Sequence, residues 1–110
     1  MVGIGVGLGM KLGVALKALF AAGAIIAVVS VLTWERIKMW FQARDKIRRA
    51  DADNVAFSLV EKLKENKFKT VYGIFNQRTE TILGAETVTS DSLDETLRMH
   101  HESEPLVVYR

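Results

Sequence analysis

Residues Ala18–Trp34 read ALFAAGAIIAVVSVLTW, seventeen positions without an ionisable side chain. A helix crossing the hydrocarbon core of a bilayer needs about 20 mostly apolar residues. In lipid only helices and closed barrels satisfy the backbone, and one strand cannot close a barrel. The eight Leu, Ile, Phe and Val residues of this stretch contribute on the order of −3 to −4 kcal/mol to insertion, and its alanines change little. Leu12–Leu16 extend the run backwards past Lys17, whose ammonium reaches the headgroups when it sits near a helix end. The stretch therefore predicts one transmembrane helix over residues 13–34. No small-x-small cleavage site follows it, which argues against a secretory signal.

The flanks predict an orientation. Arg36, Lys38, Arg44, Lys46, Arg48 and Arg49 follow the run, against Lys11, Lys17 and the terminal amine before it. The positive-inside rule then places the C-terminal part in the cytoplasm, as for a single-pass protein of a bacterial inner membrane. Residues 35–50 are expected to form a basic amphipathic juxtamembrane helix with Trp34, Ile37, Trp40 and Phe41 near one face. Lys11, Lys17, Trp34, Arg36, Lys38, Trp40, Arg44, Lys46, Arg48 and Arg49 are the expected membrane-interface residues, with anionic headgroups as the partner. Basic flanks accompany membrane helices generally, so no nucleic-acid partner is expected.

Residues 1–12 form a glycine-rich leader. Gly3/Gly7, Gly5/Gly9 and Gly9/Gly13 are each G-x-x-x-G pairs, and Gly23 with Ala27 is a small-x-x-x-small pair. Such spacing lets membrane helices approach closely, so these residues predict a homo-oligomer or a subunit of a larger membrane complex. A dinucleotide fingerprint is excluded, because position 8 is Leu and no strand precedes the glycines.

The whole chain has 110 residues, 49% hydrophobic and 25% charged, with one proline and no cysteine. Disulfide scaffolds, thiol nucleophiles and cysteine-ligated metals are excluded, as are collagen-like and disordered classes. Charge is uneven: residues 1–50 carry eight basic side chains against two acidic, and residues 51–110 seven against eleven.

Residues 51–110 are expected to form a small cytoplasmic α/β module. Ala52, Val55, Ala56, Leu59, Val60 and Leu63 follow helical spacing, predicting a helix over 53–65. KTVYGIFNQ (69–77) and TILGAETVT (81–89) read as a hairpin. Ser92 and Glu95 form a capping box for a helix ending near His101, and LVVY (106–109) reads as a buried strand. The expected fold class is thus membrane α plus a small α-β-β-α-β module: a three-stranded sheet in order 2-1-3, helices on one face and a right-handed β-α-β crossover.

Only His100-His101-Glu102-Ser103-Glu104 resembles a chemical site. Two imidazoles fall short of the three protein ligands usual for catalytic zinc. Asp91, Asp94 and Glu95 suit the first turn of a helix, and Ser90 and Ser92 have no base partner in the sequence. No catalytic, cofactor-binding or metal residues are expected, and no cofactor. The expectation is a non-enzymatic single-pass membrane anchor, scaffold or accessory subunit. It would self-associate through its glycine-rich helix and meet a protein partner through residues 53–110. Two alternatives are a pore-forming or virion membrane-structural multimer, and a small enzyme or metal site around His100 and His101.

Overall fold

In the computed structural model, residues 2–3 and 27–109 are described. Their elements are β1 (Val2–Gly3), β2 (Ala27–Leu32), α1 (Trp34–Ala43), α2 (Asp45–Arg49), β3 (Asn54–Lys62), β4 (Phe68–Asn76), β5 (Thr81–Leu93), α3 (Glu95–His100) and β6 (Leu106–Tyr109). A 3₁₀ turn at Lys64–Asn66 joins β3 to β4. The strands make a five-stranded mixed sheet, extended at one edge by the two-residue β1, in the order β1-β6-β3-β4-β5-β2. Only β2 with β5 is a parallel pair; β3–β4, β4–β5, β3–β6 and β1–β6 are antiparallel.

The expected helix over 13–34 is corrected. Ala27–Leu32 is an extended edge strand, and the helix that follows it begins at Trp34, where the Thr33 hydroxyl accepts the Arg36 N–H. Val28, Val29 and Val31 are β-branched, which suits a pleated strand. Their backbone is paired along Val88–Leu93 of β5, and Leu32 is fully buried in the protein's own core. Among the described residues no helix is long and apolar enough to cross a membrane. Leu32 is buried and Ala27 and Val29 pack against the same cluster, while Val28 and Val31 lie exposed on the edge strand, and the membrane reading of Ala27–Leu32 falls with the helix. Residues 4–26 lie outside the described residues.

The expected helix over 53–65 is also corrected: Asn54–Lys62 is strand β3. It lies between β6 and β4, hydrogen-bonded on both sides. Val55 and Phe57 point to one face, Ala56 and Ser58 to the other, and all four are buried. A strand buried on both faces has apolar residues at odd and even positions alike, and such a run also contains the i, i+3, i+4 spacings of a helix. The added strand displaces β6, which pairs with β3 rather than with the hairpin β4–β5, so the order 2-1-3 does not occur. Because β6 runs antiparallel to β3, and β5 parallel to it, the β5–α3–β6 link is not a parallel crossover.

α1 and α3 pack on the same face of the sheet. Ile37 and Trp40 of α1 and Leu97 of α3 join Leu32, Tyr72, Ile74, Val88 and Leu93 in one cluster. On the opposite face Val55, Phe57, Val71, Phe75 and Val108 form another. Opposite Phe57, Gly73 stands where a Cβ would lie 2.8 Å from the Ala85 Cβ, so the strands approach too closely there for a side chain. One bulge, at Leu83, interrupts the β4–β5 ladder between Gly84 and Ile82.

Candidate functional site

Between the α1–α2 segment and the sheet lies a cavity of about 490 Å³. Its lining combines the α1–α2 positions Trp34, Lys38, Phe41, Gln42, Asp45 and Arg48 with Ala56 of β3 and Tyr109 of β6. The helical positions recur at three- and four-residue intervals, which puts them on one continuous face despite the break at Arg44. Ala56 and Tyr109 are almost completely buried and make the floor. The four polar members lie on the helical side, where Lys38, Asp45 and Arg48 are partly exposed.

The aromatic walls hold one another in place. Trp34 lies 5.1 Å from Tyr109 and 6.3 Å from Phe41 between ring centroids, and Phe41 lies 5.7 Å from Tyr109. His100 meets Trp34 edge-on at 4.6 Å from outside the cavity lining. These separations are those of attractive aromatic pairs. The rings are therefore positioned without a ligand. Ala56 contributes a small side chain between larger ones, which leaves the space open.

Beneath the floor, a polar chain joins both histidines. The Tyr109 hydroxyl lies 2.8 Å from Ser58 Oγ and 3.3 Å from His100 Nδ1; Ser58 Oγ lies 2.7 Å from His101 Nε2; and His101 Nδ1 lies 3.0 Å from the Glu104 carbonyl. A carbonyl only accepts, so His101 Nδ1 carries the proton and its Nε2 in the neutral ring accepts from Ser58. Ser58 Oγ then accepts from Tyr109, whose oxygen accepts from His100 Nδ1. Each hydrogen has one place to go. Burial pushes both imidazoles below the ordinary value of 6.5, and contact with the Glu104 carbonyl only partly offsets this at His101. Burial also pushes the Tyr109 phenol up to about 12.

Ser58, His101 and a carbonyl that orients the imidazole have the order of a nucleophile, base and orienting group. Ser58 is wholly buried, however, with its oxygen held between two partners. No electrophile can reach it without unfolding β3 from β6. The arrangement satisfies buried polar groups and fixes the Tyr109 ring.

A further polar group lies under α1. Tyr72 is fully buried, accepts from Arg36 Nε at 3.3 Å and donates to Glu86 Oε2. Its phenol is pushed up to about 12, first by burial and then by the Glu86 carboxylate. At the other end, Asn54 donates to the Ile47 carbonyl at 2.7 Å, and Asn76 donates to Asn54 at 2.6 Å and to Asp51 at 3.1 Å. Asp51 and Asp53 both pair with Arg78. This group ties the end of α2 to β3 and β4.

The residues singled out by sequence are distributed as follows. Gly5, Gly7, Gly9, Lys11, Gly13, Lys17 and Gly23 lie outside the described residues; Gly3 belongs to β1, and Ala27 opens β2. Trp40 is buried against Tyr72 and Phe41 with the Arg44 guanidinium 4.0 Å from its ring centroid, so it serves the protein's core where a headgroup contact was expected. Trp34, Lys38 and Arg48 line the cavity, and Arg36 binds Tyr72. Arg49 pairs with Asp45, and Lys46 lies in the last turn of α2. Ser58, Ala56 and Tyr109 were missed as site residues. The spacing of Trp34, Lys38, Phe41, Asp45 and Arg48 carries the signal for the helical wall, and the same spacing suits a helix lying on a bilayer. Among the described residues no three His, Asp or Glu side chains gather as a metal site. No protein-family model, curated protein or solved structure matches the chain.

Proposed function

We propose that this protein is a non-enzymatic binding module that takes a small, largely apolar ligand between α1 and the sheet. The reading rests on one observation: a cavity of about 490 Å³ whose walls are three mutually packed aromatic rings. Small-ligand pockets span about 300–1,000 Å³ and combine apolar walls with a few polar groups. Rings already in place lose little conformational freedom on binding. The buried Ser58 hydroxyl supports a binding role over acyl transfer, since a nucleophile must touch its substrate.

The neutral probe N-phenyl-1-naphthylamine tests this. Its fluorescence is expected to rise on addition of the protein, and Ala56→Leu, which fills the floor, is expected to abolish the rise while the melting temperature holds. No rise with the wild-type chain, or an undiminished rise with folded Ala56→Leu, overturns the reading.

A further inference from the structure

Building on that pocket reading, we propose that the ligand carries an acid group beside its apolar body, a compact aromatic carboxylate whose anion sits at the α1–α2 side of the cavity. The segment Trp34–Arg49 holds six basic side chains against two acidic ones. Two of the cations, Lys38 and Arg48, line the cavity. The single acid in the lining, Asp45, is engaged twice: by Arg48 Nη2 at 3.3 Å and by Arg49 Nε at 2.7 Å. The other acid, Glu35, pairs with Lys38 at 3.1 Å and takes no part in the lining.

The balance at the cavity is therefore cationic. Arg48 has five N–H donors and Lys38 three, more than their carboxylate contacts consume. Gln42 adds an amide donor on the same side. A carboxylate arriving there meets two cations and a neutral donor, with its hydrocarbon directed at Trp34, Phe41 and Tyr109. At the start of α1 the N–H groups of Trp34 and Arg36 are already bonded to Asp94 and Thr33, so the preference rests on the side chains.

An aromatic cage also suits a cation, through attraction to the ring faces. Two features oppose that occupant here. Lys38 and Arg48 repel it, and the two acids beside them are already engaged, Glu35 by Lys38 and Asp45 by Arg48 and Arg49. Charge separates the two ligand classes although the rings admit both.

A matched series decides between them: 2-naphthoate, 2-naphthamide and 2-naphthylmethylammonium, titrated calorimetrically into the full chain. The naphthoate is expected to bind roughly fivefold more tightly than the amide, from two partly exposed charge contacts, and the ammonium most weakly. Raised salt should shrink the naphthoate advantage. The double variant Lys38→Gln, Arg48→Gln should remove it while the amide binds as before, which also shows that the pocket remains folded. Equal or reversed affinities with the amide still binding overturn the acid class and leave the pocket reading standing. Failure of all three to bind overturns both.

Discussion

The carboxylate of Asp94 accepts the backbone N–H of Trp34, sixty residues away, at 3.0 Å through Oδ2, and caps its own helix through Oδ1 by accepting Leu97 N–H at 2.9 Å. The Asp94 N–H in turn donates to the Leu32 carbonyl at 2.9 Å. One residue thus starts α3 and fixes where α1 leaves the sheet, and with it the Trp34 wall of the cavity. Loss of a single cap typically costs about 1 kcal/mol. Asp94→Ala removes two, and is expected to lower stability by roughly 2 kcal/mol, with Asp94→Asn milder because one oxygen acceptor remains. Urea denaturation measures both, and an Ala variant as stable as wild type would show that neither cap carries weight.

The histidine chain gives the protein an acid sensitivity. His100 and His101 are held below the ordinary imidazole value by burial. As pH falls through 6.5 the unfolded chain takes up protons that the folded chain refuses, so stability is full above 6.5 and declines toward the depressed native values. Asp51, held low by the Asp53 N–H and Arg78, loses its contribution only below its ordinary value of 3.8, outside that window. The urea midpoint should therefore fall between pH 7.5 and 5.5, and fall less in His101→Gln. A midpoint that is flat across this range would sink the account.

At alkaline pH the two tyrosines act in the opposite sense. Tyr72 and Tyr109 are the only tyrosines, and both phenols are raised from 10.0 to about 12. The fold keeps protons that the unfolded chain releases, so stability is full below pH 10 and is lost as pH climbs toward 12. Tyrosinate absorbance should stay low at pH 10.5 and appear together with unfolding. Half of the full signal at pH 10 in the folded state contradicts the burial of both hydroxyls.

Two glycines on facing strands should respond differently to alanine. At Gly73 a new methyl group meets β5 backbone and the Ala85 Cβ at 2.8 Å, and overpacking of this kind costs about 1–3 kcal/mol. At Gly84 the nearest atom is Trp40 Cη2 at 3.9 Å, an ordinary contact. Gly84→Ala should be neutral or slightly stabilising, since it reduces the freedom of the unfolded chain. Thermal melts of both variants check the pair, and equal loss at the two sites would contradict the close approach at Gly73.

Much of the hairpin was legible in sequence. Alternating β-branched and aromatic residues mark 69–77 and 81–89, and β4 and β5 lie there. LVVY became β6, with its strand neighbour misjudged. The helix following Asp94 was expected from a capping box led by Ser92, but Ser92 remains in β5 and Asp94 supplies the cap. The candidate site was less legible. The helical face bearing Trp34, Lys38, Phe41, Asp45 and Arg48 could be read from spacing, whereas Ala56 and Tyr109 join it only because β3 and β6 are neighbours.

What the sequence determined by itself is local: the helix-forming run after Thr33, the hairpin, and the basic character of Trp34–Arg49. Only tertiary structure decided what the apolar runs pack against. Ala27–Leu32 and Asn54–Lys62 are apolar enough to satisfy a bilayer or a helical period, and in the fold both are strands. Hydropathy measures the cost of leaving a side chain in water and is silent about which apolar surroundings replace it. For β3 the replacement lies on both faces of the sheet and for β2 on one, with Val28 and Val31 left exposed, so the choice rests on pairing partners in other parts of the chain.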